Sequence, residues 1–133
     1  MLRLPHSAYA QMIGLAYDEL PLEACGLLGG DPRSGDVDRF YPCRNEAESA
    51  KLYTVASRDM LHADRDAEDR GFELIGVMHS HTHTDAYPSP TDVRQALDPT
   101  WHYVIVSLKH DAPVLRSYRI TEGTIAEEPV LVV

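Results

Sequence analysis

No lysine- or arginine-rich cluster appears anywhere in this 133-residue chain, whose formal charge is −9. A nucleic-acid groove needs a basic face to displace counterions from phosphate, so that class of partner is set aside, DNA-repair roles included. No apolar run approaches the roughly 20 residues that cross a bilayer, so no membrane role is expected. The opening Met1-Leu2-Arg3-Leu4-Pro5-His6-Ser7 lacks the apolar stretch of an export signal, which makes the cytoplasm the expected location. Cysteine is scarce. Cys25 and Cys43 stand apart without C-x-x-C spacing and are expected to be reduced, structural thiols.

The length suits one domain, residues 1–133, able to bury roughly 65–70% of its unfolded surface. Tyr9, Met12, Ile13, Ala16, Tyr17 and Leu20 recur at helical spacing, which predicts a helix from about Pro5 to Leu20, closed by Pro21. Ala24–Gly30 and Val37–Cys43 read as strands joined by the turn formers Asp31 to Asp36. Arg44–Lys51 is polar enough for a surface loop, and Leu52–Val55 reads as another short strand. Ser57 suits an N-cap for a charged helix to about Arg70, with Gly71 as its stop. Phe72–Met78 is the apolar central strand, and Ser89-Pro90-Thr91-Asp92 opens another helix. Trp101–Leu108, Val114–Ile120 and Thr124–Val132 then read as an antiparallel meander. The sum is one α/β domain with a mixed sheet packed by about three helices.

Chemistry concentrates in His79-Ser80-His81. Following an apolar strand, His79 and His81 point to one face, because strand side chains two apart share a direction. Asp92 follows at a helix start, and two imidazoles plus one carboxylate suit a catalytic zinc site with one position left for water. H-x-H alone also fits two packed core histidines, and Ser89-x-x-Asp92 resembles a capping box; a cap there would also hold Asp92 rigidly. His83 extends the alternation but enters a proline-rich loop, so a ligand role is not assigned to it. His6, His62, His102 and His110 have no partner in sequence and are read as surface or core residues. Glu23 is the candidate base for a zinc-activated water, although spacing alone ties it to nothing.

Glu23-Ala24-Cys25-Gly26-Leu27-Leu28-Gly29, then His79-Ser80-His81, Ser89 and Asp92, fill every position of the pattern E…H-S-H-x7-S-x-x-D. In this the chain resembles the JAMM (MPN-plus) metallopeptidases, across nearly its whole length. Asn45-Glu46-Ala47, Tyr53, Ala86-Tyr87-Pro88-Ser89 and Leu115–Ile120 resemble the small stand-alone bacterial members, in particular those that remove cysteine from a sulfur-carrier protein. The resemblance implies a JAMM/MPN, cytidine-deaminase-like fold, with Zn2+ held by His79, His81 and Asp92. It further implies Glu23 as general base, Ser89 as oxyanion donor and Ser80 as a brace. The expected reaction is hydrolysis after the C-terminal Gly-Gly of a small ubiquitin-like or sulfur-carrier protein, releasing cysteine. Two alternatives are an isopeptidase acting on ubiquitin-like conjugates and a non-catalytic scaffold of the same fold, the latter usually without the ligands. A barrel amidohydrolase, which also uses H-x-H, needs about 250 residues.

Overall fold

Three helices are interspersed among eight strands in an order that leaves one pair of parallel strands at the centre of a mixed sheet. The computed structural model describes residues 1–133. Leu2–Leu4 (β1) leads into the helix His6–Asp18 (α1), and Cys25–Gly30 (β2) pairs with Val37–Cys43 (β3). Ser57–Asp69 (α2) precedes Glu73–His81 (β4), and Pro90–Gln95 (α3) follows it. His102–Ser107 (β5), Val114–Thr121 (β6), Thr124–Glu128 (β7) and Val130–Val132 (β8) complete the order. Six strands form one sheet, β3-β2-β4-β5-β6-β7, while β1 and β8 make a separate parallel pair. Within the sheet only β4 and β5 run parallel. The expected α/β architecture, mixed sheet and three helices are all present.

Each face of the sheet carries its own apolar layer. Ala8, Met12 and Ala16 of α1, four residues apart, pack with Leu28, Phe40, Met78, Val104 and Val106. Leu27, Val77, Tyr103, Ile105 and Tyr118 form the opposite layer with Ala63 of α2. Burying a leucine such as Leu28 fully contributes about 1.5–3 kcal/mol. Along β4 the pairing jumps from Leu28↔Gly76 to Gly29↔Leu74, so one extra residue is accommodated there. Beyond that bulge Val77, His79 and His81 alternate onto the α2 face, and Met78 and Ser80 onto the α1 face. Gly26 has no room for a Cβ, which would enter the Phe40 ring.

Four sequence expectations are corrected. Leu52–Val55 is not a strand; only Val55 bridges to Asn45. Its polar groups are instead gathered by the Asn45 side chain, whose Oδ1 accepts from the Thr54 N–H and whose Nδ2 donates to the Leu52 carbonyl. Thr124–Val132 divides at Pro129, which has no N–H to give the ladder, and β8 turns away to pair with an unforeseen β1. The α2 cap is Ala56 rather than Ser57, without a side-chain hydrogen bond. The central strand runs past Met78 to His81, so both histidines lie within it rather than after it. Gly71, at φ +84°, does end α2 as its freedom from a Cβ allows.

Candidate metal centre

Parallel strands cannot be joined by a tight turn, so the chain must leave the sheet between β4 and β5. That excursion carries Asp92. At its start Ser89 caps α3: its Oγ accepts from the Asp92 N–H at 3.1 Å, and the Asp92 carboxylate accepts from the Ser89 N–H at 2.9 Å. The reciprocal box fixes the Asp92 side chain, and Pro90 presets the first helical φ. Asp92 Oδ2 thereby lies 3.1 Å from His79 Nε2 and 3.0 Å from His81 Nε2. The two Nε2 atoms are themselves 3.1 Å apart. Sequence and structure thus bring the three candidate ligands together, each buried, with their ligating atoms within 4.8 Å of one another.

The protonation pattern fits a cation there. His81 Nδ1 lies 2.7 Å from the Asp85 carbonyl, which can only accept, so Nδ1 carries a proton and Nε2 is the nitrogen turned to the centre, where a cation would take the place of its proton. His79 is fully buried and stacks on the Tyr53 ring at 4.3 Å. Burial pushes its pKa down and favours the neutral imidazole that metals bind. For His81, burial works the same way but is outweighed by its bonds to Asp92 and the Asp85 carbonyl, and its pKa rises. Burial opposes the Asp92 charge, yet the two histidines hold its pKa well below the usual carboxylate range.

Glu23 is buried at the entrance to β2, and its Oε1 has no hydrogen-bond partner. A charge so placed is costly: burial foremost, with the Asp92 charge adding and His81 opposing, lifts its pKa to about 8. An unpartnered carboxylate oxygen beside three converging ligand atoms fits a bound cation and its water. Ser80 holds Glu23 in place from the other face. Its Oγ accepts from the Ala24 N–H at 2.7 Å, while its N–H donates to the Ala24 carbonyl. Asn45 Nδ2 donates to the Glu23 carbonyl at 3.0 Å. Ser89 accepts from Asp92 and retains its own O–H for donation. With Glu23 and His81 it lines a cavity of about 310 Å3 that also takes in Ala50, Lys51, Thr82, His83 and Thr84.

The other sequence candidates separate cleanly. His83 is exposed and outside the ligand group. His6, His62 and His110 are exposed as well, and buried His102 pairs with Glu128 at 2.6 Å. Cys25 and Cys43 face each other across β2 and β3 as buried free thiols, pushed up to about 12 by burial first. Sequence reasoning missed the anchors of the loop after His81. Ser107 donates to the Thr84 carbonyl at 2.5 Å, His81 to that of Asp85, and the Tyr118 hydroxyl to that of Ala86. Nothing in their spacing announces this, because three different strands supply the three donors.

Fold and site define an enzyme of the JAMM metallopeptidase type. Residues 5–121 match the family of prokaryotic homologs of the JAB domain, and the chain belongs to it. It is 42% identical to the CysO-cysteine peptidase of Mycobacterium tuberculosis over 126 residues, 92% of this chain and 84% of that one. A desampylase of Haloferax volcanii is 32% identical over 88 residues, 65% of this chain and 63% of its own. The solution structure of protein DSY2949 from Desulfitobacterium hafniense superposes with a TM-score of 0.91 at 36% identity, covering 100% of this chain and 93% of that one.

Proposed function

We propose that this chain uses zinc to hydrolyse the amide bond after the C-terminal Gly-Gly of a small sulfur-carrier protein, releasing cysteine. The observation that carries the chemistry is the unpartnered Glu23 oxygen, which feels the charges of His81 and Asp92 and lines one cavity with His81, next to the group His79, His81 and Asp92. His79, His81 and Asp92 are the ligand set, and the mixed nitrogen and oxygen donors suit zinc. Zinc held there supplies Lewis acidity that brings a water's pKa from about 15.7 towards about 7.

Glu23 accepts the proton of the attacking water and returns it to the leaving amine as the C–N bond breaks. The new C–O bond leaves the carrier ending in a Gly carboxylate, so atoms and protons balance. Ser89, with its O–H free, donates to the oxygen that gains charge at the tetrahedral stage. Glycine at the carrier terminus lets the backbone approach this recessed site without side-chain clash. The substrate class is favoured by the likeness to the mycobacterial peptidase across most of both chains.

The desampylase likeness favours a second reading, removal of a ubiquitin-like modifier from protein lysines. Intact-mass spectrometry separates them. Metal-loaded enzyme should shorten a carrier bearing one added C-terminal cysteine by that residue alone. A carrier adduct left whole while a lysine-linked conjugate is cut would replace the first reading by the second.

A further inference from the structure

The cavity that Glu23 and His81 line also takes in a lysine, Lys51. Lysine occurs only at positions 51 and 109. Lys109 is engaged with the Asp85 carboxylate at 3.4 Å, whereas Lys51 makes no ion pair and lines the cavity. The backbone that carries Lys51 is bolted to the site. The Glu23 N–H donates to the Ser49 carbonyl at 2.8 Å, the Lys51 N–H to Ser49 Oγ at 3.0 Å, and Thr82 Oγ1 to the Ala50 carbonyl at 3.2 Å. The segment carrying Lys51 is thus tethered both to Glu23, two residues before β2, and to Thr82, the residue after His81. Its exposed ammonium is the only lysine or arginine charge among the residues lining this space.

We propose that this cavity is the leaving-group subsite, built for a single amino acid whose free α-carboxylate is held by Lys51, with His83 as part of its wall. The proposal rests on the hydrolytic reading above. At about 310 Å3 the space lies at the small end of ligand pockets, where about 300 Å3 is the lower bound. In an α-amino acid one carbon separates the amine from the carboxylate. A leaving amine placed at Glu23 therefore sets its carboxylate within the same small cavity, which Lys51 also lines. A lysine leaving through its side-chain amine carries no carboxylate near the broken bond and gains nothing from Lys51. The subsite thus selects a terminal amino acid over an isopeptide by charge as well as by volume.

Two carrier adducts test this, one ending in cysteine and one in cysteinamide, followed by intact mass with wild-type, Lys51→Met and Lys51→Arg enzymes. The wild type should favour the free acid by about 10-fold or more in kcat/KM, as a charge-assisted hydrogen bond implies. Acid and amide should become equal substrates of Lys51→Met, and Lys51→Arg should restore part of the preference. Calorimetric binding of the uncut acid adduct to Glu23→Gln should weaken by a similar factor when Lys51→Met is added. Equal cutting of acid and amide by the wild type, or a preference that survives in Lys51→Met, overturns the subsite while the hydrolytic reading stands. Failure to cut either adduct sinks the hydrolytic reading and the subsite with it.

Discussion

Both nitrogens of His81 are committed, one to the Asp85 carbonyl and one to the shared centre with His79 and Asp92. Its ring is therefore oriented before any ion arrives, which lowers the reorganisation that binding requires. His83, two residues on, is exposed and shares none of this. His81→Ala should lose the metal in elemental analysis, and His83→Ala should keep about one ion per chain. Metal loss from His83→Ala alone would refute the ligand set. Glu23 gives the second residue-scale test. Glu23→Gln keeps the shape and a hydrogen-bonding amide but removes proton acceptance, so kcat should fall about 10²–10⁴-fold with metal content intact. Near-normal turnover in that variant would dismiss Glu23 as the base.

Among elements, the end of β7 carries a prediction of its own. Glu128 accepts from His102 Nδ1 at 2.6 Å and from Ser117 Oγ at 2.8 Å, tying β7 to β5 and β6. Burial opposes its charge, but those bonds prevail and bring its pKa down to about 2 from 4.5. A depressed carboxylate stabilises the fold above its unfolded pKa, and that contribution disappears as pH falls through the folded value. Stability of the wild type should therefore decline from about pH 4.5 towards about pH 2 more steeply than that of Glu128→Gln. Parallel denaturant titrations across this range would expose an unaltered slope, which would contradict the assignment.

The same strands show what a sequence can and cannot disclose. β2, β3, β5 and β6 were legible because their apolar runs and turn residues act locally, and the His-x-His and Asp92 signals were local too. β1, the break that sets β8 apart from β7, and the pairing of β1 with β8 were not, since three residues carry little pattern and the pairing joins distant parts of the chain. Asn45, Ser107 and Tyr118 were hidden for a related reason: each acts on a carbonyl many residues away. Glu23 was tied to the histidines only by family resemblance. The antiparallel β2–β4 register that sets Cys25 opposite His79 supplies the missing physical link.

At the scale of the molecule, the charge of −9 bears on encounter with a folded partner, and a groove lies along α2 and the start of β4. The groove is apolar along Met60, Leu61, Phe72, Leu74 and Trp101 and acidic at Asp64, Glu68 and Glu73. An acidic rim accelerates encounter with a basic carrier surface and loses that effect when salt screens it. Raising ionic strength from about 0.01 to about 1 M should lower kcat/KM for a folded carrier adduct far more than for a short Gly-Gly-Cys peptide. Equal salt sensitivity of the two would show that the net charge does not steer the carrier. The loop between His81 and Ser89 has a different consequence. Three strands grip three consecutive carbonyls in it, so the loop cannot loosen while the sheet remains whole. Melting of this loop and collapse of the sheet become one cooperative event, observable as a calorimetric transition that coincides with the onset of proteolytic cleavage within the loop. Cleavage within the loop well below that temperature, with the sheet still intact, would show that the loop melts by itself.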